Sequence, residues 1–181
     1  MPASADARLH EIQTAMRAGD IARAGELAER ALATGFEHPH VLTLAAYRRM
    51  GMNDHASALP LAERAAALNP RNVDALSAVG TCLMQLERPV EAAAAFGKAL
   101  ALDAGDSQLH LNAGAALEAA KEYARAVEEY EQAFTLDPAN AGAAARRSPL
   151  LPWRWPISMR GISKPHRSAC TTSWGSPMSA R

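Results

Sequence analysis

The sequence predicts an all-α protein, a stack of antiparallel helix pairs followed by an irregular, disordered tail. Three observations carry this: a 34-residue internal period, two amphipathic helical stripes in each period, and a collapse of the pattern after residue 147. A lone helical hairpin cannot bury its apolar face, so a hairpin repeated at fixed spacing implies a stack with a continuous core. Steps of 34 from Ala24 land on Ala58, Ala92 and Ala126, and from Ala31 on Ala65, Ala99 and Ala133. In an alanine-rich chain these columns are weak, and rarer residues weigh more. Gly80 and Gly114 are one period apart, as are Phe96 and Tyr130. Pro70 and Pro138 are two periods apart with Ala104 midway, and Leu68, Leu102 and Leu136 form a further column. Four units fit with no insertion or deletion, at 5–38, 39–72, 73–106 and 107–140.

The first two units turn at Gly19-Asp20 and Asn53-Asp54. Pro60 falls about a turn inside the second helix of its unit, where it should kink that helix or delay its start, at up to roughly 3 kcal/mol if fully interior. In the third unit Leu76, Val79, Gly80 and Leu83 mark one face of a first helix. Glu87-Arg88-Pro89 turns the chain, with Pro89 suited to a first helical turn, and Ala92, Phe96, Ala99 and Leu100 mark the buried face of the second helix. The fourth unit repeats this with Ala113, Gly114 and Leu117, then Ala126, Tyr130, Ala133 and Phe134. Asn69-Pro70-Arg71-Asn72 and Asp137-Pro138-Ala139-Asn140 end one helix and cap the next. Ala141 to Arg147 reads as the first helix of a fifth unit. The small columns let helix backbones approach closely, and Phe96 or Tyr130 fills the space beside them.

Charge is balanced at 19 basic and 19 acidic side chains, but it is segregated. All 19 acidic and 12 basic residues lie in 1–145, a formal charge of −7, and the other seven basic residues lie in 146–181. Cys82 and Cys170 are far apart and form no metal-type or redox-type pair, so a reduced, cytoplasmic protein is the simpler expectation, with a disulfide left open. The N-terminus shows no secretory leader, and no apolar run approaches the roughly 18 residues of a membrane span.

No glycine-rich phosphate loop, G-x-S-x-G or H-E-x-x-H occurs, so neither an enzyme nor a cofactor is expected. His38-Pro39-His40 offers two metal ligands, but no third is predictable beside it, and His10, His55 and His110 fall in different units. Met16, Met50, Met52 and Met84 close the first helices and read as gap-filling core residues, with Met50 and Met84 alternatively facing a groove. Cys82 lacks a basic neighbour and reads as inert. Glu128, Glu129 and Glu131 read as a solvated helix face.

The period, with Leu76-x-x-Val79-Gly80-x-x-Leu83, Ala92-x-x-x-Phe96 and a helix-ending proline column, resembles the tetratricopeptide repeat (TPR). The resemblance covers residues 5–140. The third and fourth units match well; the second has Ala62 in place of the aromatic and Arg49 where an apolar residue is usual. The first is the most degenerate, with Ile12 and Phe36 in the glycine and proline columns. The resemblance implies a right-handed superhelical α-solenoid over 5–147 whose first helices line a concave groove for a protein or peptide partner. By periodicity the groove stripe is His40, Thr43, Tyr47 and Met50; then Asp74, Ser77, Thr81 and Met84; then Gln108, Leu111, Ala115 and Glu118. TPR proteins that hold the acidic tails of heat-shock chaperones use lysines, arginine and asparagines on this stripe. Here it has no Lys or Arg and carries Asp74 and Glu118, which favours a neutral or basic segment. TPR stretches also precede sulfotransferase or oxygenase domains in some bacterial proteins, so the alternative is the N-terminal part of a larger enzyme.

Residues 148–181 contain five prolines, all three tryptophans and no acid. Pro149, Pro152 and Pro156 forbid a regular helix there. One reading is a basic arm whose Trp153-Arg154-Trp155 touches nucleic acid or membrane. The favoured one is a frameshifted or truncated product, because this is the composition of a GC-rich gene read out of frame and the repeat stops inside a unit. An uncapped stack would then self-associate through its C-terminal end, and the acidic body argues against nucleic acid as a partner.

Overall fold

The computed structural model describes residues 5–139 and Gly142. They lie within one compact unit and form eight helices with no strand among them. The first helices of the four hairpins are α1 (Ala5–Arg17), α3 (Pro39–Gly51), α5 (Val73–Gln85) and α7 (Ser107–Ala119). Their partners are α2 (Ile21–Ala33), α4 (His55–Leu68), α6 (Pro89–Leu100) and α8 (Tyr123–Leu136). None of these helices is long and apolar enough to cross a membrane. The predicted helix over 141–147 lies outside the described residues apart from Gly142, which is helical; so does the tail, with Cys170 and Trp153-Arg154-Trp155.

Local chemistry sets each hairpin. The turn inside every unit contains a residue with positive φ: Gly19 at 74°, Asn53 at 61°, Glu87 at 58° and Lys121 at 65°. A left-handed residue after a helix lets the chain reverse sharply, and glycine or asparagine adopts it most readily. The next helix is then capped by Asp20, whose Oδ1 accepts from the Arg23 amide, and by Asp54, which accepts from Ser57. Units three and four have no such cap bond. There Arg88 pairs with Glu91, and Arg125 with Glu122, across one turn.

Pro60 does not delay its helix. α4 begins at His55, in register with Ile21, Pro89 and Tyr123. Its ring is on the exposed side, so the lost amide bond falls on the solvent-facing edge of the helix.

The core follows the repeat columns. Ala24, Ala58, Ala92 and Ala126 are fully buried, as are Ala65, Ala99 and Ala133 with Phe96 and Tyr130 beside them. A Cβ added to Gly80 would stand 2.7 Å from Phe96 Cζ, and one added to Gly114 would stand 2.6 Å from Tyr130 Cε1. Each glycine therefore seats an aromatic ring of its own hairpin. In the first interval Gly25 seats the stem of Arg48 instead. Met16 and Met52 do not fill core gaps: they are 44% and 67% exposed, whereas Met50 and Met84 are half-buried against the core. The column of Leu68, Leu102 and Leu136 is also largely exposed.

Arg49, the charged departure from the repeat, leans toward Glu29 at 3.5 Å and Asp54 at 3.9 Å. Its neighbour Arg48 donates to the same Glu29 at 3.1 Å and lies 3.6 Å from Glu26. The first hairpin, poorest in repeat residues, is thus joined to the second partly by ions.

Candidate partner-binding groove

Consecutive helices pack on one another throughout, and α3 also packs on α5, and α5 on α7. No pair of second helices packs as closely. Among the first helices α3, α5 and α7 therefore form the tighter layer, which makes their free faces the candidate concave side of the stack.

On that side His40, Asp74 and Gln108 are exposed, one each from α3, α5 and α7 and 34 residues apart. Tyr47 is 38% exposed; Ser77, Thr81, Leu111, Ala115, Met50, Met84 and Glu118 are half-buried. Thr43 is the exception. It is only 5% exposed, and its hydroxyl donates to the Pro39 carbonyl at 2.9 Å while accepting from Asn72 Nδ2 at 3.3 Å. Asn72 Oδ1 in turn accepts from the Ala75 amide as the N-cap of α5. Thr43 thus joins unit two to unit three, and contrary to its place in the predicted stripe its buried hydroxyl is not presented to the groove.

Several stripe residues are held in place by neighbours. Tyr47 donates its hydroxyl to the Asp74 carbonyl at 3.1 Å, linking α3 to α5 across the groove floor. Burial, then the Asp74 carboxylate and Cys82, push the phenol up to about 12. The Glu118 carboxylate accepts from Tyr130 Oη at 2.6 Å, so a core ring fixes a groove acid. Gln108 Nε2 donates to Asn112 at 3.0 Å, and Thr81 spends its proton on the Ser77 carbonyl. What the stripe offers a ligand is mostly acceptor oxygens, with apolar Met50, Met84 and Leu111 between them and no Lys or Arg.

His38 and His40 do not act as an open ligand pair. His38 Nδ1 accepts from the His40 amide at 3.3 Å, capping α3, and the two rings stack at 5.5 Å with Phe36 beyond. Burial and the neighbouring His40 lower the His38 pKa. No group of three or more His, Cys, Asp or Glu converges among the described residues. Cys82 is fully buried, and burial, then Glu63, push its thiol up to about 11.

Sequence reasoning missed one buried polar site. His110 is 9% exposed, with Nδ1 2.7 Å from Glu129 and Nε2 3.1 Å from the Ala104 carbonyl. Glu129, 28% exposed, is therefore only partly solvated, and it helps tie α7 to α8. The signal was the single polar residue on the buried side of α7, standing in the column of Leu42 and Leu76.

A search of curated proteins returned no match. Among solved structures, YrrB, described as a TPR protein with an unusual peptide-binding site, superposes with a TM-score of 0.67 at 22% identity, covering 78% of this chain and 73% of its own. MamA from Desulfovibrio magneticus gives 0.69 at 16% identity, covering 81% of this chain and 83% of its own. The first TPR domain of human RPAP3 gives 0.59 at 20% identity, covering 62% and 91%. At these identities the likeness is one of fold. Two family models, each described as Tetratricopeptide repeat, match residues 43–107 and 107–140. Together they span more than half of the chain, on the units whose glycines seat Phe96 and Tyr130, and the chain belongs to the tetratricopeptide repeat family.

Proposed function

We propose that this stack is a non-catalytic interaction module that holds a neutral or basic segment of a protein partner against α3, α5 and α7. TPR stacks in general are protein-binding scaffolds, and one observation carries the finer reading. The concave stripe combines the carboxylates of Asp74 and Glu118 with hydroxyl and amide groups and lacks any Lys or Arg. An acidic ligand would meet like charge and acceptor oxygens, whereas backbone amides and cationic side chains would find acceptors. The half-buried Met50, Met84 and Leu111 give apolar side chains of the ligand somewhere to lie.

The test compares fluorescent peptides of matched length carrying basic, neutral or acidic side chains, measured by anisotropy against the intact chain and a Tyr47→Ala, Thr81→Ala, Gln108→Ala variant. Basic or neutral peptides should bind and lose affinity in the triple variant, with helicity retained by circular dichroism. Preferential binding of acidic peptides, or binding that survives the substitutions, would show that the groove assignment is wrong.

A further inference from the structure

The outer face of α6 differs from that of the other second helices. Val90, Ala94 and Gly97 of α6, with its C-cap Ala101, form an exposed and uncharged strip beside the exposed Glu91 and Lys98. The column of Gly97 is glutamate in the other three second helices, Glu29, Glu63 and Glu131. Glycine is the poorest helix former after proline, and nothing among the described residues requires it here. A Cβ at Gly97 would meet no atom within 4 Å, in contrast to Gly80 and Gly114.

Beside this face the stack is open. Two adjoining cavities of about 550 and 340 Å³ lie between α4 and α6, with Leu76, Val79 and Leu83 of α5 as their floor. Glu63 and Lys98 line both cavities, and neither is in an ion pair among the described residues. On the other side of α4, by contrast, Arg64 is paired, with Glu37 of the preceding unit.

We propose that the occupant of this face is a second copy of the chain, lying antiparallel across α6 about a two-fold axis. The charge pattern is self-complementary. With the axis between Ala94 and Gly97, Ala94 of each copy meets Gly97 of the other, and Val90 meets Ala101 at the mouth of the larger cavity. The unpaired Lys98 of each copy then comes beside Glu91, which Arg88 of its own helix already holds, and both contacts occur twice, as an isologous interface requires. The missing side chain at Gly97 lets the two helix backbones approach. The concave groove, on the opposite side of the stack, stays free in the pair.

Sedimentation of the full chain under reducing conditions, from low to high micromolar concentration, tests this. The wild type should be a dimer. Gly97→Glu should raise the dimer dissociation constant by about tenfold or more while the monomer keeps its helicity and melts no lower. Lys98→Glu should weaken the dimer, and adding Glu91→Lys should recover it. A monomeric wild type would overturn the proposal. So would a dimer indifferent to Gly97→Glu and Lys98→Glu, which would place the contact elsewhere, for instance at the C-terminal end.

Discussion

The ring of Phe96 lies so close to Gly80 that an added Cβ would stand within 3 Å of three of its carbons. Gly80→Ala gains about 1 kcal/mol of helix propensity but forces an overpacked contact costing about 1–3 kcal/mol. The expected result is a net loss of up to about 2 kcal/mol by chemical denaturation, with Gly114→Ala behaving alike against Tyr130. A Phe96→Leu change made together with Gly80→Ala should cost less than the two single losses summed, because the smaller side chain vacates the clash. Strict additivity would mean that the ring does not depend on the glycine.

Lys121 occupies the same left-handed turn position as Gly19 and Asn53, at φ 65°. Its side chain is strained there where glycine would not be, by roughly 1–2 kcal/mol before the entropy of the freer unfolded chain is set against it. Lys121→Gly and Glu87→Gly should each therefore raise stability by about 0.5–1 kcal/mol. Gly19→Ala should lower it. Thermal melts of the three variants read the outcome directly, and a loss in both glycine variants would contradict the turn geometry.

These turns mark the boundary of what the sequence makes legible. Gly19-Asp20 and Asn53-Asp54 announce themselves by composition, but Glu87 and Lys121 adopt the same backbone only because the packed hairpin demands it. The helix pairs, their 34-residue register and the glycine–aromatic seats were readable because each depends on a residue and its partner one helix away in a repeated column. Ties that belong to a single interval were not. Thr43 looks like a groove residue by spacing, yet its hydroxyl is drawn inward by Asn72, a cap from the next unit. Glu129 looks solvated until His110 is placed against it, and Arg49 looks misplaced until Glu29 is. Periodicity predicts which column a side chain occupies, and only the packed neighbour decides whether its polar atoms are free.

His110 gives a third prediction. Glu129→Ala and His110→Leu both remove the short contact, but the first leaves a buried imidazole without its partner, while the second leaves a Glu129 carboxylate that is 28% exposed and so within reach of water. Removing one partner so that a buried polar group is left unsatisfied costs about 1–3 kcal/mol, and the loss is smaller where water can reach the group left behind. His110→Leu, which restores the residue type of Leu42 and Leu76 in that column, should cost less than His110→Asn. Hydrogen exchange of the α8 amides would report the difference locally, and equal exchange in all variants would show that the pair does not hold α8.

Cys82 and Tyr47 set the alkaline limit. Both have folded pKa values raised, from 9.0 to about 11 for the thiol and from 10.0 to about 12 for the phenol. Above their unfolded values the unfolded chain releases these protons first, so stability falls as pH rises from about 9 to 12 and is unaffected by them below that range. Cys82→Ala should flatten the lower part of that decline. The native Cys82 thiol should resist thiol reagents until the stack unfolds; rapid labelling of the native protein at this position would contradict its burial.

The most direct test of the central claim is photo-crosslinking from defined positions. A photoreactive residue at Ser77, on the concave side of α5, and another at Pro60, on the exposed side of α4, should be compared with a bound basic peptide. The account predicts that the peptide is captured from position 77 and not from position 60. Capture from position 60 alone would place the binding surface on the outer face and contradict it.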